Sequence, residues 1–160
     1  MKPSEPTRYF DGEFKLDAVK ILPGQYYAGC GKSVITTVLG SCVSTCLWDP
    51  VERIGGMNHF MLPGDMAGPS PLWTASARFG DYAMEVLIND MLRIGAGRAR
   101  LVAKVFGGAR LLPGVGALDV GAKNSAFVLE FLQVEGIKVL AQDLQDVCPR
   151  KVCSFRTPER

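Results

Sequence analysis

Apolar residues recur at helical spacing over residues 78–94. Phe79, Ala83, Val86, Leu87, Met91 and Ile94 form one stripe, and Gly95 follows as a C-terminal stop. A second helix is predicted over residues 122–135, with Phe127, Val128, Phe131, Leu132 and Val134 apolar and Gly136 ending it. The methionines and aromatics of both helices read as core. Elsewhere the pattern shortens to strand-like runs at 16–21, 33–39, 101–106, 137–141 and 151–155. Asp49-Pro50 punctuates two runs rich in β-branched and apolar residues, so 42–62 reads as a hairpin. Residues 1–14, polar and proline-containing, predict a flexible arm, and 15–160 a single domain without repeats. Residues 63–71 form a glycine- and proline-rich loop close in sequence to His59. Many strands with two separated helices argue for an α+β fold.

The hairpin brings candidate chemistry into view. A turn centred between Pro50 and Val51 gives antiparallel partners whose numbers sum to 101, which pairs Cys42 with His59. Directly opposed residues hold their Cβ atoms about 5 Å apart, a separation at which an imidazole can take a proton from a thiol. A free cysteine is more often a small buried hydrophobe, and a lone histidine a satisfied core residue. Three local features favour chemistry: the permissive Gly40-Ser41 turn, the absence of a second histidine, and Gly55-Gly56 opposite, which leaves room for a substrate. Cysteine beside histidine supports acyl transfer, whether by a protease, a transglutaminase, a thioesterase or an amidase.

Composition removes other classes. Eighteen basic against 16 acidic residues leave a formal net charge of +2, without the basic run or stacking aromatics of a nucleic-acid binder. No apolar stretch approaches the roughly 18 residues of a membrane span, and the N-terminus lacks a signal-peptide core, so a cytoplasmic protein that is not membrane-embedded is expected. The five cysteines, at 30, 42, 46, 148 and 153, form no disulfide framework. Their spacing and the single histidine make a structural zinc a poor fit, and Cys30, Cys46, Cys148 and Cys153 read as packing. Gly29-Cys30-Gly31-Lys32-Ser33 resembles the end of a phosphate loop but has Tyr26 where the first glycine belongs. The glycines at 107, 108, 114, 116 and 121 miss dinucleotide-binding spacing and read as turns and close-approach points beside the site. No cofactor and no metal are expected.

The segments 36–49 and 55–63 resemble the CheD family of chemoreceptor glutamine deamidases. The resemblance continues through Arg78-Phe79-Gly80, Ala83-Met84-Glu85, residues 103–109, Gly121-Ala122-Lys123-Asn124 and Pro149-Arg150-Lys151-Val152, nearly the whole chain in order. It implies a β-sandwich core flanked by helices. It also implies Cys42 as nucleophile, His59 as base and Thr36 as the residue orienting the ring, with Thr37 adjacent. Ser41, Gly40 and Asn58 are candidates for the oxyanion hole or substrate pocket. The chain departs from the family pattern at residues 144–148, where many members carry a glycine pair, and it ends without the family's usual terminal strand.

The activity implied is conversion of chemoreceptor glutamines to glutamate with release of ammonia. Implied partners are the cytoplasmic helices of methyl-accepting chemotaxis receptors and a CheC-type phosphatase. Two alternatives accompany it, a non-catalytic docking partner of receptors or of CheC, and a receptor methylesterase using the same acyl chemistry.

Overall fold

The computed structural model describes residues 5–63, 71–110 and 119–155, with residues 71–77 described as backbone only. Two mixed sheets and two helices make up this single-domain α+β fold. The first sheet has the order β1 (Thr7–Asp11), β2 (Leu16–Lys20), β4 (Val34–Leu39), β9 (Arg150–Phe155), with β2 and β4 parallel. The second has the order β3 (Tyr26–Cys30), β6 (Ile54–Asn58), β5 (Val43–Asp49), β7 (Val102–Gly107), β8 (Lys138–Leu144), with only β7 and β8 parallel. The parallel pair is joined through α2 (Val120–Val134), while α1 (Pro71–Arg93) links β6 towards β7.

Strand β1 falls inside the segment expected to be a loose arm. It pairs with β2 from Thr7↔Lys20 to Asp11↔Leu16, and the Asp11 carboxylate accepts from the Glu13 and Phe14 amides to close the turn. Its side chains are almost all exposed, so one-sided alternation is missing and the sequence reads as polar coil. Helix α1 begins seven residues earlier than its stripe predicts, at Pro71, whose fixed φ and missing N–H suit a first helical position. Helix α2 starts two residues early because Asp119 caps it, its carboxylate accepting from the Ala122 amide at 2.9 Å. Phe79, Ile94 and Val134, counted into the apolar stripes, are exposed.

Two apolar clusters hold these layers together. One unites the second sheet (Val43, Leu47, Ile54, Val105) with the helices (Met84, Leu87, Ile88, Met91, Val128, Leu132). Each such side chain withdrawn from water contributes about 1.5–3 kcal/mol. The other joins Val19, Ile21, Ile35 and Leu39 of the first sheet and its flank to Met57 of β6, with Cys42, Cys46 and Phe106 at its margin. Strand β6 is therefore buried along its whole length. A Cβ on Gly56 would lie 2.8 Å from Leu87 Cδ1, so this glycine admits helix α1 and does not make space for a substrate.

The β5–β6 connection is capped by its own acid. Asp49 accepts from the Val51 and Glu52 amides, from the Gly97 amide at 2.7 Å and from the Arg100 guanidinium at 2.9 Å. Arg100 first, then these amides, hold the buried Asp49 carboxyl well below the usual carboxylate range. Arg53 adopts a left-handed φ of 57° to return the chain, with its amide on the Asp49 carbonyl.

Candidate active site

Because Asp49 pairs with Ile54, the turn is centred between Val51 and Glu52, and partner numbers sum to 103 instead of 101. The bridge Val43↔Phe60 continues this register. Cys42 and His59 are thus diagonal, not directly opposed. The correction is even-numbered, so both side chains keep the same face of the sheet, and diagonal neighbours remain within reach of a long side chain. Both residues stand just beyond the strand ends and line one pocket of about 350 Å³, with Lys20, Ile21, Leu22, Pro23, Val38, Gly40 and Ser41 completing its wall.

The His59 backbone is fixed on both sides. Its amide donates to the Gln25 carbonyl at 3.1 Å and its carbonyl accepts from Gly24 at 2.8 Å. Its ring is fixed by Thr37. The Thr37 hydroxyl lies 2.7 Å from His59 Nδ1 and donates to the Ile21 carbonyl at 2.8 Å. A hydroxyl has one proton to give. With that proton spent on Ile21, Thr37 accepts from Nδ1–H, which leaves Nε2 as the unprotonated, basic nitrogen of the neutral ring. Thr36, the residue implied by resemblance, points the other way, and its hydroxyl meets the Tyr9 hydroxyl at 3.1 Å. The reason is strand alternation: Thr37 shares its face with Ile35 and Leu39, both in the cluster that joins the sheets.

The loop carrying the cysteine is held by its carbonyls. Ala109 donates to Gly40 O at 3.0 Å, the Asn124 amide to Ser41 O at 2.9 Å, and Gly108 to Cys42 O at 2.8 Å. A Cβ on Gly107, at φ +105°, would fall 2.2 Å from Cys42 O, and one on Gly121 would fall 2.2 Å from Gly108 O. These glycines let β7, the cysteine loop and the start of α2 stack backbone against backbone. Glycines 114 and 116 lie outside the described residues. Asn58 does not reach the pocket. It is buried on the opposite face, accepting from the Thr45 amide at 2.8 Å and donating to the Ala83 carbonyl at 3.3 Å. Asn124 was legible only as part of a resembling block, although a polar residue continuing the buried stripe of α2 is a signal in itself.

Burial sets the charge state of the pair. It pushes the half-buried Cys42 thiol up, with the residue's own amide pulling slightly the other way, and it lowers His59 to about 4. The resting site therefore holds a neutral thiol and a neutral imidazole. A nucleophilic thiolate then has to form as the sulfur attacks. Of the other cysteines, Cys30 and Cys148 are exposed and not packed as expected, whereas Cys46 and Cys153 are partly buried on the wall of a separate cavity of about 620 Å³. Among the described residues no three side chains of metal-binding type converge, and no helix is long and apolar enough to cross a membrane.

The family model for "CheD chemotactic sensory transduction" matches residues 61–158. The chain belongs to the CheD family. The match begins after Cys42 and His59, but individual relatives align further. A protein of Shewanella oneidensis named probable chemoreceptor glutamine deamidase CheD 1 is 53% identical over 152 residues, covering 95% of this chain and 74% of its own. Proteins of Herminiimonas arsenicoxydans and Methylobacillus flagellatus, each named probable chemoreceptor glutamine deamidase CheD, are 56% and 54% identical. They cover 92% of this chain each, and 72% and 73% of themselves.

Proposed function

We propose that this protein is a chemoreceptor glutamine deamidase working in the cytoplasm, with Cys42 as nucleophile, His59 as base and Thr37 as the residue that orients the ring. The observation that carries the reading is the Ile21–Thr37–His59 chain of hydrogen bonds, which reserves Nε2 for proton transfer in the pocket that Cys42 lines. The 51–56% identity to proteins named for this activity supports the substrate class.

The chemistry runs in two halves. The Cys42 proton passes to His59 Nε2 as Sγ bonds to the carboxamide carbon of a glutamine side chain. The tetrahedral intermediate collapses, the C–N bond breaks, and the imidazolium proton leaves on ammonia. Water, deprotonated by the same nitrogen, hydrolyses the thioester and releases glutamate and free thiol. The negative oxygen of each intermediate needs N–H donors, which the backbone at Gly40, Ser41 and Cys42 supplies. In architecture this reading takes the two sheets as the faces of the family's β-sandwich, with both helices outside the second sheet.

Incubation with receptor cytoplasmic fragments, followed by peptide mass spectrometry, tests the proposal. Replacement of NH₂ by OH at specific glutamines is expected. Loss of a methyl group from glutamyl esters would make the protein a methylesterase, and no change would leave it a docking partner. Adding a CheC-type phosphatase to the same assay tests that partner by its effect on the rate.

A further inference from the structure

The three carbonyls of the cysteine loop are all turned into the body of the protein, and one of them is held by a side chain. Ser41 O accepts from Asn124 Nδ2 at 2.9 Å, while Asn124 Oδ1 accepts from the Leu62 amide at 3.0 Å. These two bonds fix which end of the amide faces which partner, and Asn124 is completely buried. In a trans peptide the C=O and the following N–H point in opposite directions. The Ser41–Cys42 peptide is trans, as are all described peptides of the chain. Holding Ser41 O inward therefore turns the Cys42 N–H outward, to the side where Ser41 and Cys42 line the pocket.

We propose that Asn124 is a positioning residue that aims the Cys42 amide into the pocket as the oxyanion donor. The inference rests on the deamidase reading above. Asn124 bonds the loop through its donor and Leu62 through its acceptor.

The test is Asn124→Asp, which keeps the acceptor for Leu62 and replaces the donor to Ser41 by an oxygen that repels its carbonyl. Asn124→Ala serves as a second variant. Losing an oxyanion donor lowers kcat about 10²–10³-fold, and a donor turned aside instead of removed belongs at the lower end, about 10²-fold. KM should stay within about threefold of wild type, as for an interaction made only in the transition state. Alkylation of Cys42 by iodoacetamide should keep its wild-type rate, because displacement of iodide builds no oxyanion. A folded variant whose kcat stays within about threefold overturns the proposal, as does one whose alkylation falls in step with kcat, because the lesion is then general disorder of the site. If neither variant folds, the wild type decides. A receptor peptide with a γ-aldehyde replacing the glutamine carboxamide adds Cys42 Sγ to its carbonyl, and the thiol proton ends on the new hydroxyl. The Cys42 amide proton should move downfield in the NMR spectrum, and an unmoved resonance overturns the proposal. Failure of the deamidase reading looks different, since the wild type would then leave glutamine unchanged.

Discussion

Cys42 and Cys46 lie four residues apart on the same face of the second sheet, each on the wall of a cavity, yet only one has company suited to chemistry. The pocket at Cys42 is the smaller, about 350 Å³, and contains the imidazole of His59 with its proton fixed by Thr37. The cavity at Cys46 is about 620 Å³ and is walled by Phe14, Trp48, Phe106 and Leu140, with Lys104 but no imidazole among its lining residues. Burial pushes the Cys46 thiol up to about 12, and the Ser154 hydroxyl offsets this only partly. Size does not select the site. A thiol becomes a nucleophile only where a neighbour can take its proton.

The sharpest way to break this contrast is to exchange the two thiols for methyl groups. Cys42→Ala should lower deamidation at least about 10³-fold with the melting temperature retained, whereas Cys46→Ala should keep the rate within about twofold. Loss of turnover with the Cys46 variant alone would mean that the larger cavity is the catalytic one. Next in size comes the threonine. Thr37→Val keeps the shape but removes the acceptor for Nδ1–H, and kcat should fall about 10- to 100-fold, in the range seen when a partner orienting a functional histidine is lost. Thr36→Val should change kcat less than about threefold. Equal effects of the two would remove the tautomer argument.

The choice between these threonines shows where the sequence stops being legible. Alternation says that neighbours on a strand face opposite ways, but both faces of Val34–Leu39 carry apolar residues, so pattern alone does not say which face looks at His59. Strand β4 belongs to the other sheet from β6, and only their packing turns Thr37 inward. The nearness of Cys42 to His59, by contrast, was legible because it is local. Even with the turn misplaced by one residue, parity kept Cys42 and His59 on one face. Both helices and most strands follow from periodicity, while β1 and β3 escaped because their burial is slight. Asn58, a candidate for the oxyanion hole or substrate pocket, is carried away by the same alternation that moves Thr36 and is buried under α1.

A labelling experiment sharpens the comparison further. At pH 7 iodoacetamide should modify Cys42 much faster than Cys46, and His59→Ala should slow Cys42 about tenfold without changing Cys46, as read by peptide mapping. Equal rates at Cys42 with and without the histidine would mean that the imidazole does not assist this thiol.

Smaller still is the effect of acid. His59 is buried neutral, with a folded value of about 4 against the ordinary 6.5. The unfolded chain therefore takes up its proton first as pH falls. The stability this histidine contributes is complete above about pH 6.5 and is lost on the way down to pH 4, about 3 kcal/mol in all. His59→Gln should flatten that part of the curve in urea titrations between pH 7 and 4. The acid limb of kcat/KM should likewise fall near pH 4 in the wild type, and a limb centred at 6.5 would place the free-enzyme ring in a wetter setting.

The bonds that hold the cysteine loop come from Gly108, Ala109 and Asn124, more than sixty residues later in the chain. Contacts between segments so distant are slow to form, because long loops must close before they are rewarded. While the chain is being synthesised, the β5–β6 hairpin can assemble as soon as it has emerged, but the loop beside it gains two of its bonds only when Gly108 and Ala109 follow β7, and the third only with α2. The geometry around Cys42 is thus completed late in folding, well after the hairpin beside it.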